Sequence, residues 1–264
     1  MKELLLFGVI ASIGLTAIFS APCRGQASLA KDAPEPARAT ANTKSAGHLL
    51  PGVGVGVRAS SLGVGGEVAV GVTRWINLRG GFNWLTYSRS FSKDGITYNG
   101  QLNLLSAEAH VDVFPFAGRF HVSPGLLAYN GNNITANAAV PGGQPFTLGG
   151  TAYLSDPTNP ITGKGKLNFV KAAPMILVGW GNLVPRKHSH FSYSTELGVV
   201  FQQAPRTTLS LAGNACSTNG LVCVNAATDP NVQASIAAEV AKINKSTSPF
   251  KYYPVVSIGV GYKF

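Results

Sequence analysis

Charge is what this 264-residue chain is short of: Asp, Glu, Lys and Arg make up 12% of it, about half the roughly 25% usual in soluble domains. A soluble domain of this size needs more charge to cover its surface, so much of the outside is expected not to face water. Acidic residues are the scarcest, 11 against 21 Lys and Arg, leaving a formal charge of +10. The basic residues are scattered rather than gathered into a patch with interleaved aromatics, which argues against nucleic acid and for an anionic membrane surface. Phosphate-loop motifs are missing as well. The glycine runs Gly52–Gly56 and Gly63–Gly66 give no G-x-G-x-x-G at a strand-to-helix turn, and no G-K-[ST] occurs anywhere.

Long apolar runs are confined to one, Leu4 to Ser20. Lys2 precedes it and Ala21-Pro22-Cys23-Arg24-Gly25-Gln26-Ala27 follows, the layout of a secretory signal peptide with cleavage expected after Ala27 (residues 1–27). An uncleaved anchor is the alternative. Pro22 before Cys23 departs from the lipoprotein cleavage pattern. Cleavage removes Lys2, Glu3 and Arg24 and lowers the charge by one. Residues 28–49 are rich in Ala, Pro, Thr, Lys and Ser and are expected to be a flexible periplasmic tail. Of the 3 cysteines, Cys216 and Cys223 then remain. In an oxidising compartment the pair reads as a small disulfide loop. Zinc is disfavoured because no histidine lies nearby to complete a ligand set.

From Pro51 onward the pattern has period two. In the last segment Tyr252, Pro254, Val256, Ile258, Val260, Tyr262 and Phe264 share one face, and Tyr253, Val255, Ser257, Gly259, Gly261 and Lys263 the other. An apolar face with aromatics at both ends describes a strand crossing a membrane. Seven upstream segments alternate likewise, from Val53-Val55-Val57 through Phe82-Trp84, Leu105–Val113 and Phe120–Ala128 to Phe191–Phe201, with no charge on the apolar faces. Thr73–Ile76, Pro115–Gly118 and Asn182–His190 are short connections on one side; 131–165 and 203–250 are long ones on the other. The expected fold is therefore all-β, an antiparallel transmembrane barrel of eight strands over residues 50–264. A soluble barrel with the apolar face inside is the alternative. It would leave the strand glycines as bare exposed backbone, whereas in a narrow membrane barrel they make room for inward side chains. Pro124, Pro174 and Pro254 fall within strands and are expected at bulges or membrane rims. In 203–250, Thr207–Leu211 is expected to continue the seventh strand. Asp229-Pro230 opens a short helix with Val232, Ile236, Val240 and Ile243 on one face, expected to pack on or into the barrel mouth.

With a signal peptide ahead of it, the closing Tyr262-Lys263-Phe264 resembles the C-terminal signature of bacterial outer-membrane barrels, and the chain is similar to their small eight-stranded group. Phe250–Ser257 and Arg79–Asn83 look like uncharacterised members. The resemblance covers roughly residues 50–264. It implies a place in the outer membrane of a Gram-negative bacterium, with both termini periplasmic. It also implies recognition by the barrel-assembly machinery through Tyr262 and Phe264, but no particular activity. The group includes anchors, narrow channels, adhesins and lipid-modifying enzymes.

Arg58, Glu67, Arg79, Glu108, His110, Asp112, Lys171 and Glu196 fall on expected inward faces. Glu108, His110 and Asp112 at i, i+2 and i+4 could do acid–base chemistry or hold a metal. A structural network of paired charges is the simpler reading, because unpaired buried charge is costly and both signs are present. A lipid A deacylase pattern would use His190-x-Ser192 and an acid on the membrane face. Here Ser192 and Glu196 point inward and His190 lies at a turn. The expectation is a non-enzymatic monomer without cofactor or metal, surrounded by outer-membrane lipid, that supports envelope integrity and offers its loops to ligands or partners. A narrow porin-like channel and a surface adhesin are the alternatives.

Overall fold

The alternating segments fold into one sheet that closes on itself. The computed structural model describes residues 52–186 and 189–264; the expected signal peptide and tail lie outside them. The barrel is made by β1 (Val53–Ser60), β2 (Gly63–Gly71), β3 (Ile76–Lys93), β4 (Ile96–Val113), β5 (Phe120–Asn130), β10 (Ala173–Gly181), β11 (Phe191–Phe201) and β15 (Tyr252–Lys263). Each pairs antiparallel with the next, and β15 pairs with β1 from Gly54 opposite Lys263 to Ser60 opposite Ser257, so no edge is left. The eight strands and their three short connections at one end are as expected.

Which face is inside is settled by neighbouring residues on one strand: Phe82 is 55% exposed and Asn83 is 0%. Val57, Leu78, Leu105, Leu197 and Ile258 likewise point outward, while Arg58, Ser106, Glu196 and Ser257 are buried within. The apolar face is outside, which excludes the soluble barrel. Trp75, Phe116, Trp180, Phe191 and Phe264 ring the end with the short turns; Trp84, Tyr129, Phe201 and Tyr252 ring the other.

The alternation slips once. On β5, Ala107 of β4 faces Tyr129 but Glu108 faces Leu127, so Ala128 is an extra residue in a bulge. Tyr129, which strict alternation from His121 and Ser123 would turn inward, is therefore 50% exposed, and Asn130 is buried instead. Pro174 and Pro254 sit at strand beginnings near the rim, as expected. Pro124 sits mid-strand. There the β4–β5 register lapses between His110–Gly125 and Val113–Val122, where proline has no N–H to give.

The two long connections are folded rather than loose. β3 and β4 run 18 residues each, well past the apolar band. Beyond the band, β4 pairs with β6 (Asn133–Ala139), β6 with β9 (Thr162–Asn168), and β9 with β12 (Arg206–Ala212). β6 follows β5, β9 precedes β10 and β12 follows β11, so one side of the barrel continues upward as a five-stranded wall. Thr207–Leu211 is thus the upward continuation of the seventh strand.

A second sheet, β7 (Pro145–Leu148), β8 (Thr151–Ser155), β13 (Asn214–Cys216) and β14 (Cys223–Asn225), stands beside it. Cys216 and Cys223 face each other across β13–β14 and form the expected disulfide. Helix α1 (Pro230–Thr247) starts where Asp229 accepts from the amides of Asn231 and Val232 at 2.9 and 3.0 Å. Its Val232 and Ile236 pack with Ile96, Val140, Leu148, Ile161, Ala215 and Ala226. Leu209, Leu211 and Tyr98 from the inner face of the wall border this core. The helix therefore covers the inner side of the wall rather than entering the barrel.

Candidate functional site

The interior of the barrel is the site the strands build. Arg79 on β3 is its centre. Its Nη1 donates to Glu67 Oε2 on β2 at 3.0 Å, its Nη2 to Asp112 Oδ1 on β4 at 3.0 Å, and Nη2 also to Glu196 Oε1 on β11 at 2.5 Å. Nε donates to Asp112 Oδ2 at 3.1 Å, making that pair two-pronged. Arg58 on β1 pairs with Glu108, lies 3.8 Å from Glu67 and 3.9 Å from Glu196, and donates from Nε to Asn83 Oδ1 at 3.2 Å. His110 Nε2 lies 3.6 Å from Glu108 Oε2. Seven of the eight expected lumen residues are brought together in this way.

Lys171 is the exception. It is exposed and precedes β10, where its carbonyl accepts from the Asn130 amide at the rim. The strand begins only at Ala173, so alternation does not reach Lys171 and its ammonium stays in water.

Further members join from the polar faces. His121 Nε2 lies 3.0 Å from Glu196 Oε1, and its Nδ1 faces the carbonyls of Arg119 and Gly181 at 3.2 and 3.1 Å. Ser123 donates to Asp112 at 2.7 Å and Ser257 to Glu196 at 3.0 Å. All three lie on the inward side of the alternation. Their roles as partners depend on which strands close against one another. Space for the large charged side chains comes from glycine: a Cβ on Gly179 would sit 2.7 Å from Glu196 Cγ and 2.8 Å from His121 Nε2.

Among the described residues, side chains fill both ends of the lumen. At the lower end the stretch Asn182–Arg186 folds inward. Asn77 donates to Asn182 at 2.9 Å, Lys263 Nζ to the Pro185 carbonyl at 2.7 Å, and Arg186 Nη1 to the Thr73 carbonyl at 2.6 Å. Leu183 fills the space that Gly54, Gly56 and Gly261 leave free; a Cβ on Gly54 would strike the Leu183 carbonyl. At the upper end Leu62, Leu127, Met175, Leu177, Val200 and Val255 form an apolar plug. The Tyr253 hydroxyl crosses above it to the Ser61 carbonyl at 2.7 Å.

Among the described residues, no acid gathers with the His190-x-Ser192 pair. His190 Nδ1 lies 3.0 Å from the Lys263 carbonyl and its ring stacks on Tyr262, while Glu196 is engaged by Arg79, His121 and Ser257. Tyr262 is packed against Phe191 and Phe264 at 5.3 and 5.2 Å, which seats the C-terminal segment in the lower aromatic ring. Asp156 lies near Cys216 and Cys223; the disulfide leaves these sulfurs no thiolate to offer a metal.

An eight-stranded closed barrel, apolar outside, charged inside and ringed by aromatics at both ends, is a barrel of the outer-membrane type. Solved structures that share this fold include the following two. Acinetobacter baumannii CarO matches with a TM-score of 0.53 at 20% identity, over 83% of this chain and 100% of that one. Acinetobacter baumannii CarO2 matches with a TM-score of 0.53 at 19% identity, over 81% and 99%. At such identities the likeness is one of fold. No protein-family model matches the chain, and no curated protein does.

Proposed function

We propose that this chain is a non-enzymatic outer-membrane barrel that supports envelope integrity, with its termini on the periplasmic side and its folded loops at the cell surface. The observation that carries this reading is the filled lumen. Paired charges occupy its middle, an inserted turn closes one end and an apolar plug the other. A network of this kind braces strands on opposite sides of the barrel, because one guanidinium ties β2, β3, β4 and β11 together. The dispersal of His190, Ser192 and Glu196 supports a non-enzymatic role. The eight-stranded part closes without an edge within the apolar band, which supports a monomer there.

The test combines three measurements on the full chain: membrane fractionation, gel mobility before and after boiling, and conductance in planar bilayers. Expected are recovery with the outer membrane, a mobility shift on boiling, and no single-channel steps. Reproducible steps would replace the structural role with the channel. Recovery as a soluble protein without a mobility shift would remove the membrane reading altogether.

A second reading, recognition at the surface, draws on the disulfide-closed turn. Its Leu221 and Val222 are 82% and 61% exposed at the tip of β13–β14. Loss of cell-surface adhesion on replacing both by serine, with the barrel intact, would favour it.

A further inference from the structure

We propose that the outward face of the wall β3–β4–β6–β9–β12 binds the phosphorylated sugar headgroups of glycolipids in the leaflet surrounding the barrel. The inference rests on the outer-membrane reading above and adds a ligand to it.

The face is defined by register. Arg206, Asn168 and Asn133 lie in one cross-strand row, and Lys166 with Thr208 and Thr135 in the next. Lys164 follows in the row above, beside Ser210 and Asn137. Through β4 these rows join Asn103, Gln101 and Asn99, whose partners on β3 are Thr86, Ser88 and Ser90. From Thr86 upward the outward positions hold Ser, Thr, Asn, Gln, Ala, Lys and Arg, with no carboxylate and no large apolar side chain.

Three further observations give this face its partner. Lys164, Lys166 and Arg206 are exposed and make no ion pair among the described residues, so their charges are available. The amides beside them on β6 and β4 are already ordered by mutual hydrogen bonds, Gln101 to Asn103 at 3.1 Å and Asn103 to Asn133 at 3.2 Å. That gives a rigid polar surface suited to sugar hydroxyls. Above all, the face is the direct continuation of the lipid-facing one: Phe82 and Trp84 lie just below Thr86 on the same side of β3. A strand rises roughly 3.3 Å per residue, so the three cationic rows stand where headgroups stand. Charge complementarity in that layer selects phosphate.

The protein in detergent, unfolded by heating and read as loss of the fast-migrating gel form, gives the test. Bisphosphorylated lipid A is expected to raise the unfolding temperature, and its dephosphorylated form is not. Replacing Lys164→Ser, Lys166→Ser and Arg206→Ser together is expected to lower the apparent affinity for the phosphorylated form on the order of a hundredfold. Lys164→Arg with Lys166→Arg keeps it, as does Lys93→Ser at the hairpin tip. An unchanged response in the triple variant overturns the proposal, and so does an equal response to the dephosphorylated lipid. Heparin, a polyanion without acyl chains, acting as strongly as the lipid overturns it in favour of a soluble ligand. A wild-type chain with no fast-migrating form fails at the barrel reading instead, and takes this inference with it.

Discussion

The lower and upper halves of the β3–β4 hairpin bury opposite kinds of side chain. Below Leu105 the inward residues are Arg79, Asn83, Glu108 and Asp112, and the outward ones are Leu78, Phe82 and Val111. Above it the inward Tyr98 borders an apolar core under α1, and the outward positions are Ser, Thr, Asn and Gln. The register between the strands is unbroken from Ile76–Val113 to Lys93–Ile96, so no bulge accounts for the reversal. The surrounding solvent does. Lipid takes apolar side chains and leaves charge to be satisfied inside, whereas water restores the usual order. Inside the barrel, stability then depends on pairing; inside the cap, on burial.

That contrast can be broken most forcefully at its charged centre. Arg79→Ala leaves Glu67, Asp112 and Glu196 without their shared partner, and removing one member of a buried charge pair costs about 3–5 kcal/mol. The unboiled protein is expected to lose its fast-migrating form at a clearly lower temperature, while Arg79→Met with Asp112→Leu and Glu196→Leu recovers much of the loss. A pair of identical substitutions sharpens the boundary between the halves. Phe82→Arg should destabilise the folded barrel by about 2–4 kcal/mol, as an arginine facing the hydrocarbon does. Ser88→Arg, six residues up the same face, should stay within about 0.5 kcal/mol. Equal effects in denaturant titrations would mean that the apolar band extends past Thr86.

Within the cap, Ile236→Ala should cost about 2 kcal/mol of local stability. The gel shift should stay intact, and the change should appear as faster proteolysis of residues 213–250 in the otherwise folded protein. The smallest expected effect is one of pH. Hydrogen bonds from Asn214, at 3.0 Å, and from the Thr158 amide and hydroxyl, each at 2.8 Å, hold the Asp156 carboxyl below the usual carboxylate range. A lowered folded pKa adds stability at neutral pH that is lost as pH falls through the carboxylate range towards the folded value. Amide exchange in the 156–161 turn should therefore quicken, beyond its intrinsic pH dependence, on acidification in the wild type. Asp156→Asn should not show that excess.

Much of this architecture was legible in the chain because a barrel wall is a run of period-two segments and little else. Strand number, inward charges, the disulfide and the helix start at Asp229-Pro230 each follow from a short local pattern. Tyr129 and Lys171 were misplaced for local reasons too: a bulge shifts the phase of alternation by one residue, and a strand that starts two residues late releases its first side chain to water. The folded loops were harder to read. β6, β9 and β12 are polar on one side and only weakly apolar on the other, so their signal is faint until a partner is known.

The sequence by itself determined that a sheet would close with charge on one face and apolar residues on the other, since alternation fixes faces whatever the neighbours are. Only the tertiary structure decided that both ends of the lumen are filled. Leu183 reaches its place because Gly54, Gly56 and Gly261 from two other strands leave a hollow there, and Arg79 meets Glu196 across 117 residues. Contacts made across a barrel depend on which strands stand opposite one another. No single strand carries that information.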